Sequence, residues 1–130
     1  MQILQPPGWP RPKGYSNGIE AEGRLIFVAG QVGWDEQERF RATDFPGQFE
    51  QALRNILAVL AEGGAGPEHV VRMTWYVTDK QAYLGNLKQI GAIYRDLMGR
   101  NYPVMSVVMV AGLVEDGALI EIEATAVVPR

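Results

Sequence analysis

The sequence has 130 residues, enough for one domain with a single hydrophobic core and too few for two ordinary domains. Its formal charge is −3, and its basic residues are scattered between Arg11 and Arg130 without forming a stripe, so we expect no nucleic-acid partner. The absence of cysteine excludes disulfides, thiolate metal sites and cysteine nucleophiles, and it agrees with a reducing compartment.

The N-terminal segment, residues 1–14, holds four of the eight prolines and predicts an extended arm that lies over the domain, with at most a short edge strand. It lacks a cationic stretch leading into a long apolar one. No run in the chain approaches the roughly 18 apolar residues of a membrane span. We therefore expect a cytoplasmic location and no membrane partner.

The next two segments, residues 15–19 and 25–31, have strand character. Glu22-Gly23 between them is a turn signal, so the two segments predict a β-hairpin.

A first helix is predicted after Thr43-Asp44-Phe45-Pro46, which supplies capping side chains and a proline suited to a first turn. Apolar residues then recur on one helical face, at Phe49, Ala52, Leu53, Ile56, Leu57 and Leu60. Gly63-Gly64 ends this helix. The glycine-rich run lacks the lysine and the strand-to-helix context of a phosphate loop.

Residues 70–77 are β-branched and aromatic and predict a central strand. His69, just before this strand, is expected to be a solvated turn residue. As the only histidine it would have to serve any Ser-His-Asp triad, and a multi-histidine metal site within one chain is excluded. We expect no metal and no cofactor.

A second helix is predicted from Thr78, which forms a capping-box pattern with Gln81, to Gly99. Its apolar face comprises Leu84, Leu87, Ile90, Gly91, Tyr94, Leu97 and Met98. Two strands, residues 104–110 and 119–128, complete the order. Two helices are too few to cover both sheet faces, so the sequence predicts a two-layer α+β fold, with a mixed sheet of five or six strands and both helices on one face.

The strand at residues 104–110 is largely apolar on both sides, since Val107 and Met109 point to one face while Ser106, Val108 and Val110 point to the other. A two-layer monomer would leave one of these sides in water. We expect the second face to pack against copies of itself in a closed symmetric oligomer. The alternative is that the proline-rich arm covers it.

Several segments, in order along nearly the whole chain, resemble the RidA/YjgF family, also called the endoribonuclease L-PSP family. They are Gly14-Tyr15-Ser16, residues 27–31, residues 51–55, residues 70–74 with Thr78-Asp79, Pro103 with Met105, and residues 120–124. The resemblance implies a chorismate-mutase-like fold and a homotrimeric barrel with small-molecule sites in the clefts between subunits.

Family members with a complete site hydrolyse imines and enamines, such as 2-aminoacrylate, to a keto acid and ammonia. An arginine fixes the substrate carboxylate, and a glutamate positions or activates water. The resemblance places that glutamate at Glu121, the candidate general base, the N-terminal aromatic residue at Tyr15, and the pocket-wall glycine at Gly30. It places Met105 at the arginine position.

Methionine offers an uncharged thioether where arginine presents a planar fork of donors, so an imine derived from a free amino acid loses its main anchor. The serine or threonine often found before the Gly-Gln pair is Ala29 here. Gly91 is the nearest equivalent of the family asparagine on the second helix, with Asn86 as the alternative. Gln31 and Ser106 complete the candidate ligand-binding residues.

Two functions stay open. The first is hydrolytic deamination of a reactive imine or enamine that lacks a free carboxylate or carries it elsewhere, with Glu121 as the base. The second is a non-catalytic trimer that binds a small metabolite in the same clefts. The acidic balance and the lack of a histidine pair disfavour the endoribonuclease activity described for some family members.

Plainer interpretations exist for individual residues. Without the resemblance, Glu121 and Glu123 would be the exposed charged face of an edge strand. Trp34 either borders the cleft or anchors a loop. Arg72 is expected on the polar side of the sheet, where it is a remote candidate for a substitute carboxylate clamp.

Overall fold

The computed structural model covers residues 1–130 and confirms an α+β fold. The predicted single sheet of five or six strands is wrong, because the six strands divide between a two-stranded and a four-stranded sheet. The strands are β1 (Gln2–Leu4), β2 (Gly18–Glu20), β3 (Arg24–Val32), β4 (Val70–Val77), β5 (Val104–Met109) and β6 (Ile120–Val128), and the helices are α1 (Phe45–Glu62), α2 (Lys80–Leu84) and α3 (Leu87–Met98). β1 and β2 form a small antiparallel pair. The other four strands form a mixed sheet in the order β3-β6-β4-β5, in which only β4 and β5 are parallel.

The predicted hairpin of residues 15–19 with 25–31 is wrong. β2 pairs with β1 of the N-terminal arm, while β3 pairs with β6. The reason lies at Gly23, which has a φ of 149° and approaches the Val128 carbonyl so closely that a side chain would clash. The chain therefore turns at Gly23 into the large sheet, and β2 is left to pair with the arm.

Helix α1 forms where it was predicted, with a proline in its first turn and Gly63 after its last turn, and Asp44 occupies the N-cap position. The predicted side-chain capping is wrong, because no side chain makes a capping hydrogen bond there. It packs against β3 and β6, and its buried face comprises Phe45, Phe49, Ala52, Leu53, Ile56 and Leu60. The Phe49 ring centroid lies 4.8 Å from that of Trp75. Gln48 is also buried; its side-chain N–H donates to the Gly117 carbonyl, and its side-chain oxygen accepts from the Leu119 N–H, so it connects the loop before β6 to the helix.

The second predicted helix is broken at Gly85-Asn86 into α2 and α3. The predicted capping box is also wrong, because Thr78 Oγ1 points to the Leu119 carbonyl at 3.4 Å and Asp79 caps the helix instead. The Asp79 carboxylate accepts from the N–H groups of Gln81 and Ala82. Of the predicted apolar face, Ile90, Tyr94 and Met98 are buried, whereas the residues at the break, Leu84 and Leu87, are exposed.

The core lies between the helices and one face of the four-stranded sheet, the core face. Alternate residues of β4 and β6 enter it: Met73, Trp75, Val77, Ile120, Ile122, Ala124 and Ala126. The opposite, outer face carries exposed apolar side chains, since Leu25 is 60% exposed and Phe27 is 72% exposed. Val108 of β5 is 39% exposed on the same face, so the alternative in which the arm covers this side of β5 is wrong.

No helix has both the length and the apolar character required to cross a membrane.

The reassigned cap gives a direct test of the α2 boundary. Asp79→Ala is expected to lower the free energy of unfolding by about 1 kcal/mol, because two helix N–H groups lose their acceptor. Gln81→Ala is the matched control, since its side chain is exposed and makes no hydrogen bond. Urea denaturation of both variants measures the difference, and equal losses would contradict the cap assignment.

Candidate functional site

A cavity of about 510 Å³ opens between α3 and the edge strand β5 on the core face of the sheet. Its walls are mostly aromatic and aliphatic, formed by Tyr15, Trp75, Tyr83, Leu87, Ile90, Tyr94, Tyr102, Met105 and Val107. Gly91 of α3 adds backbone to the wall, and the charged lining residues are Lys13 and Arg95. We call this the aromatic cavity. Its size and apolar walls suit a small organic ligand.

Tyr94 forms the inner wall of the aromatic cavity. Its hydroxyl donates to the Asn101 carbonyl, and its ring stacks on Tyr102 with a centroid separation of 5.8 Å. Burial, with a smaller contribution from the neighbouring Tyr102, raises the pKa of Tyr94 above its ordinary value of 10.0. Burial also raises the pKa of Tyr83. Both phenols therefore stay neutral at physiological pH, and the back of the cavity carries no charge.

Trp75 forms the floor of the cavity from β4. Its indole Nε1–H is buried and finds no acceptor within the chain. A buried donor without a partner costs about 1–3 kcal/mol, and most native structures satisfy such groups with protein, water or a ligand.

Tyr15 stands at the mouth of the cavity, where it is 40% exposed. The next residue fixes its position, because the buried Ser16 hydroxyl donates to the Tyr102 carbonyl and the Ser16 N–H donates to the Pro103 carbonyl. Sequence reasoning missed this role of Ser16, although the small polar residue beside a resembling aromatic was a usable signal.

Of the two candidate equivalents of the family asparagine, Gly91 and Asn86, only one lies at the cavity. Gly91 lines the aromatic cavity. Asn86 lies at the start of α3, where its side-chain amide donates to the Ala82 carbonyl at 2.7 Å and does not reach the cavity wall. Gly91 is therefore the residue of the two that lies at the candidate site.

Glu121 lies on the outer face, beside a bulge in β3. The register between β3 and β6 shifts between Val28 and Gln31, so Ala29 and Gly30 form the bulge. A side chain at Gly30 would overlap the Glu121 carboxylate, and Gln31 Nε2 donates to the Ala29 carbonyl. We call Ala29, Gly30, Gln31 and Glu121 the glutamate cluster. Since β6 lies between β3 and β4, the edge-strand interpretation of Glu121 is wrong.

The two carboxylates of β6 have different environments. The Tyr76 hydroxyl donates to Glu123 Oε1 at 2.5 Å. This hydrogen bond, partial burial and the negative charges of Glu123 and Glu121 raise the pKa of Tyr76. No hydrogen bond within the chain engages the Glu121 carboxylate. Glu121 is therefore the carboxylate available to a ligand or a water molecule.

The aromatic cavity and the glutamate cluster lie on opposite faces of the same sheet. Met105 pairs with Met73 and shares the core face, whereas Glu121 pairs with Tyr76 and shares the outer face. Tyr15, Gly91 and Met105 thus come together, and Ala29, Gly30, Gln31 and Glu121 come together. Ser106 lies exposed on the outer face, in a shallow depression beside Arg72. One chain does not bring Met105 and Glu121 onto one ligand.

Comparison with known proteins identifies the family. Residues 10–128 match the family model described as Endoribonuclease L-PSP. The chain belongs to this family. A RutC family protein of Pyrococcus abyssi is 36% identical over 119 residues, which cover 90% of this chain and 89% of that protein. A Rid family protein of unknown function from Yersinia pestis has a TM-score of 0.86 at 32% identity, covering 98% of both chains. Escherichia coli TdcF, solved with bound serine, has a TM-score of 0.68 at 28% identity, covering 98% of both chains.

The remaining candidates of this L-PSP family chain have structural roles. Trp34 packs on Phe40, with ring centroids 5.7 Å apart, and its carbonyl accepts from Asn55, so it anchors a loop. His69 Nδ1 accepts from the Gly66 N–H and holds the turn before β4. Arg72 is exposed on the outer face, away from the aromatic cavity. No three His, Asp or Glu side chains converge closely enough to hold a metal ion.

The raised pKa of Tyr94 predicts a loss of stability in alkali. The native chain holds this proton where the unfolded chain, with a phenol pKa near 10, releases it. The stabilising contribution is full below about pH 10 and is lost as the pH rises further. Urea denaturation at about pH 8.5 and about pH 10.5 should show a steeper loss in the wild type than in Tyr94→Phe. Equal losses would contradict the assignment.

Proposed function

We propose that the protein is a homotrimeric imine or enamine deaminase, with each site formed by the aromatic cavity of one subunit and the glutamate cluster of the next. The observation that carries the proposal is the division of the site residues between two faces of one sheet. Each face bears half of a site, and only a neighbouring copy would bring the halves together.

The outer face supports assembly. Leu25, Phe27 and Val108 expose 60%, 72% and 39% of their surface there. Burying apolar surface is worth roughly 25 cal/mol per Å², so packing this face against other copies is favourable. The polar pair on the same face, Tyr76 and Glu123, already satisfies its hydrogen bond internally and tolerates partial burial. A closed ring of three such faces would leave no outer face in water.

The chemistry assigned to Glu121 is water activation. Its carboxylate takes a proton from a water molecule as the water oxygen attacks the imine carbon. The imine nitrogen gains protons, the carbon–nitrogen bond breaks, and ammonia leaves a carbonyl product. The bulge at Gly30 holds no side chain over the carboxylate, and the aromatic cavity would hold the organic part of the substrate and exclude bulk water.

The family relationship supports a small-molecule ligand. The TdcF structure contains bound serine, and a RidA protein from Psychrobacter has a TM-score of 0.70 with this chain at 27% identity. A cytoplasmic location, with no nucleic-acid or membrane partner, completes the proposal and agrees with a formal charge of −3.

A second function is favoured by one residue. Met105 removes the charged anchor that the resemblance implies, so a trimer that binds a metabolite without hydrolysing it is the alternative. It differs from the deaminase in releasing no ammonia.

Glu121→Gln is expected to reduce ammonia release from freshly generated imines by about 100-fold or more, because the base is removed while the shape is kept. Glu123→Gln is the matched control on the same strand face and should stay within about threefold of the wild type. Full turnover in Glu121→Gln would exclude it from the mechanism. If the wild type releases no ammonia from imines with or without a carboxylate, the deaminase proposal is rejected and the metabolite-binding function remains.

Phe27→Asp is expected to convert the trimer to monomers, because it places a charge in the apolar contact. Light scattering after gel filtration should give the wild type a mass of about three 14.4 kDa chains and the variant a mass of one. Val59→Asp, on exposed surface of α1, is the control and should stay trimeric. A monomeric wild type would contradict the proposed assembly.

A further inference from the structure

A second cavity of about 630 Å³ adjoins the aromatic cavity and shares Lys13, Gly14, Tyr15 and Tyr102 with it. The N-terminal arm forms much of its wall, including Trp9 and Arg11, and Arg100 follows α3 on the other side. We call the two together the double cavity. Its combined space greatly exceeds what a three- or four-carbon acid would fill.

Every charged residue that lines the double cavity is basic. Arg95 and Lys13 line the first part, Arg11, Lys13 and Arg100 line the second, and no carboxylate lines either. This concentration contrasts with the net charge of −3 of the whole chain. Like charges that converge on one concave surface raise the local positive potential and favour an anion there.

These four cations have no ion-pair partner in the chain. Its ion pairs join Arg41 with Asp35 and Arg54 with Glu50. The double-cavity cations therefore remain available to a ligand.

Arg95 lies where its charge reaches the aromatic cavity. It follows Gly91 by four residues on α3, and a Cβ at Gly91 would lie 3.6 Å from Arg95 Nη1. The guanidinium thus lies beside the backbone of Gly91, in space that a longer side chain at position 91 would occupy. Its fork of donors can bind a carboxylate through two hydrogen bonds.

We propose that Arg95, assisted by Lys13, binds the substrate carboxylate in place of an arginine at position 105, and that the substrate is an imino acid with a bulky aromatic side chain. Tyr15, Tyr94 and Tyr102 supply aromatic walls, and the Met105 thioether packs favourably against rings. The indole N–H of Trp75 would gain an acceptor from a polar atom of such a ligand.

The reaction follows from the proposed function, on which this inference rests. Water adds its oxygen to the imine carbon, the carbon–nitrogen bond breaks, and the products are an aromatic 2-oxo acid and ammonia. No oxidant or reductant is required.

The test is isothermal titration calorimetry of the full-length wild type with three probes. Phenylpyruvate has the ring and the carboxylate, pyruvate has only the carboxylate, and phenylacetone has only the ring. We expect phenylpyruvate to bind about tenfold or more tightly than either partial probe. Arg95→Gln should weaken phenylpyruvate binding about tenfold and leave phenylacetone binding unchanged. Lys88→Gln removes one exposed charge from the same helix without lining the cavity, and it should change neither.

Three results would overturn the inference: no phenylpyruvate binding to the wild type, equal affinity for pyruvate and phenylpyruvate, or an unchanged phenylpyruvate affinity in Arg95→Gln. Calorimetry requires no turnover, so the outcome is separate from the proposed reaction. Arg95-dependent binding without ammonia release from the aromatic imine would keep the recognition and reject the deaminase.

Discussion

Side-chain alternation along β6 is the constraint on which both the core and the candidate site depend. β6 lies between β3 and β4, and only one face of the sheet is covered by helices. Ile120 and Ile122 must therefore enter the core, and Glu121 and Glu123 must face away from it. A one-residue slip would bury two carboxylates, so the register is strongly specified. The parallel pairing of β4 with β5 fixes Met105 on the core face by the same rule.

This division gives the two faces different physical tasks. The core face, at its β5 edge, provides an aromatic cavity in which the phenols of Tyr83 and Tyr94 are neutral and which Lys13 and Arg95 also line. The outer face provides an apolar surface that a monomer would leave in water, with the free carboxylate of Glu121 at a bulge that only a small residue permits. In the proposed trimer the apolar contact and the active site are one structure, because the contact that buries Phe27 is also the one that brings a carboxylate to a cavity. If Arg95 and Lys13 bind the substrate as proposed, no arginine is required at the position of Met105.

The sequence predicted the parts whose signals are local. Helix α1, the alternation of β6, the short strand of the arm and the two-layer α+β class all follow from periodicity, helix-breaking residues and composition. The hairpin failed because β3 pairs with β6, nearly a hundred positions away, and the turn signal at Gly23 serves that pairing. Gly85-Asn86 is a local signal for the break between α2 and α3, but the apolar periodicity on both sides of it favoured one continuous helix. The resemblance to the family named Tyr15, Gly30, Met105 and Glu121 as candidate site residues. Their separation onto two faces depends on strand register, and the approach of Lys13 to Arg95 depends on the folded arm and helix, so neither could be predicted from the sequence.

Subunit complementation tests the central claim most directly, namely that each site takes its cavity from one chain and its glutamate from another. One partner is Glu121→Gln, and the other is Gly91→Trp. A Cβ at position 91 would have Arg95 Nη1, at 3.6 Å, as its nearest neighbour, so the tryptophan can be accommodated and its indole would fill the cavity. Each variant alone should be inactive. Trimers reassembled from equal amounts of both should recover about a quarter of the wild-type ammonia release, because about one site in four then combines an intact cavity with an intact glutamate. No recovery in mixed trimers would contradict a shared site.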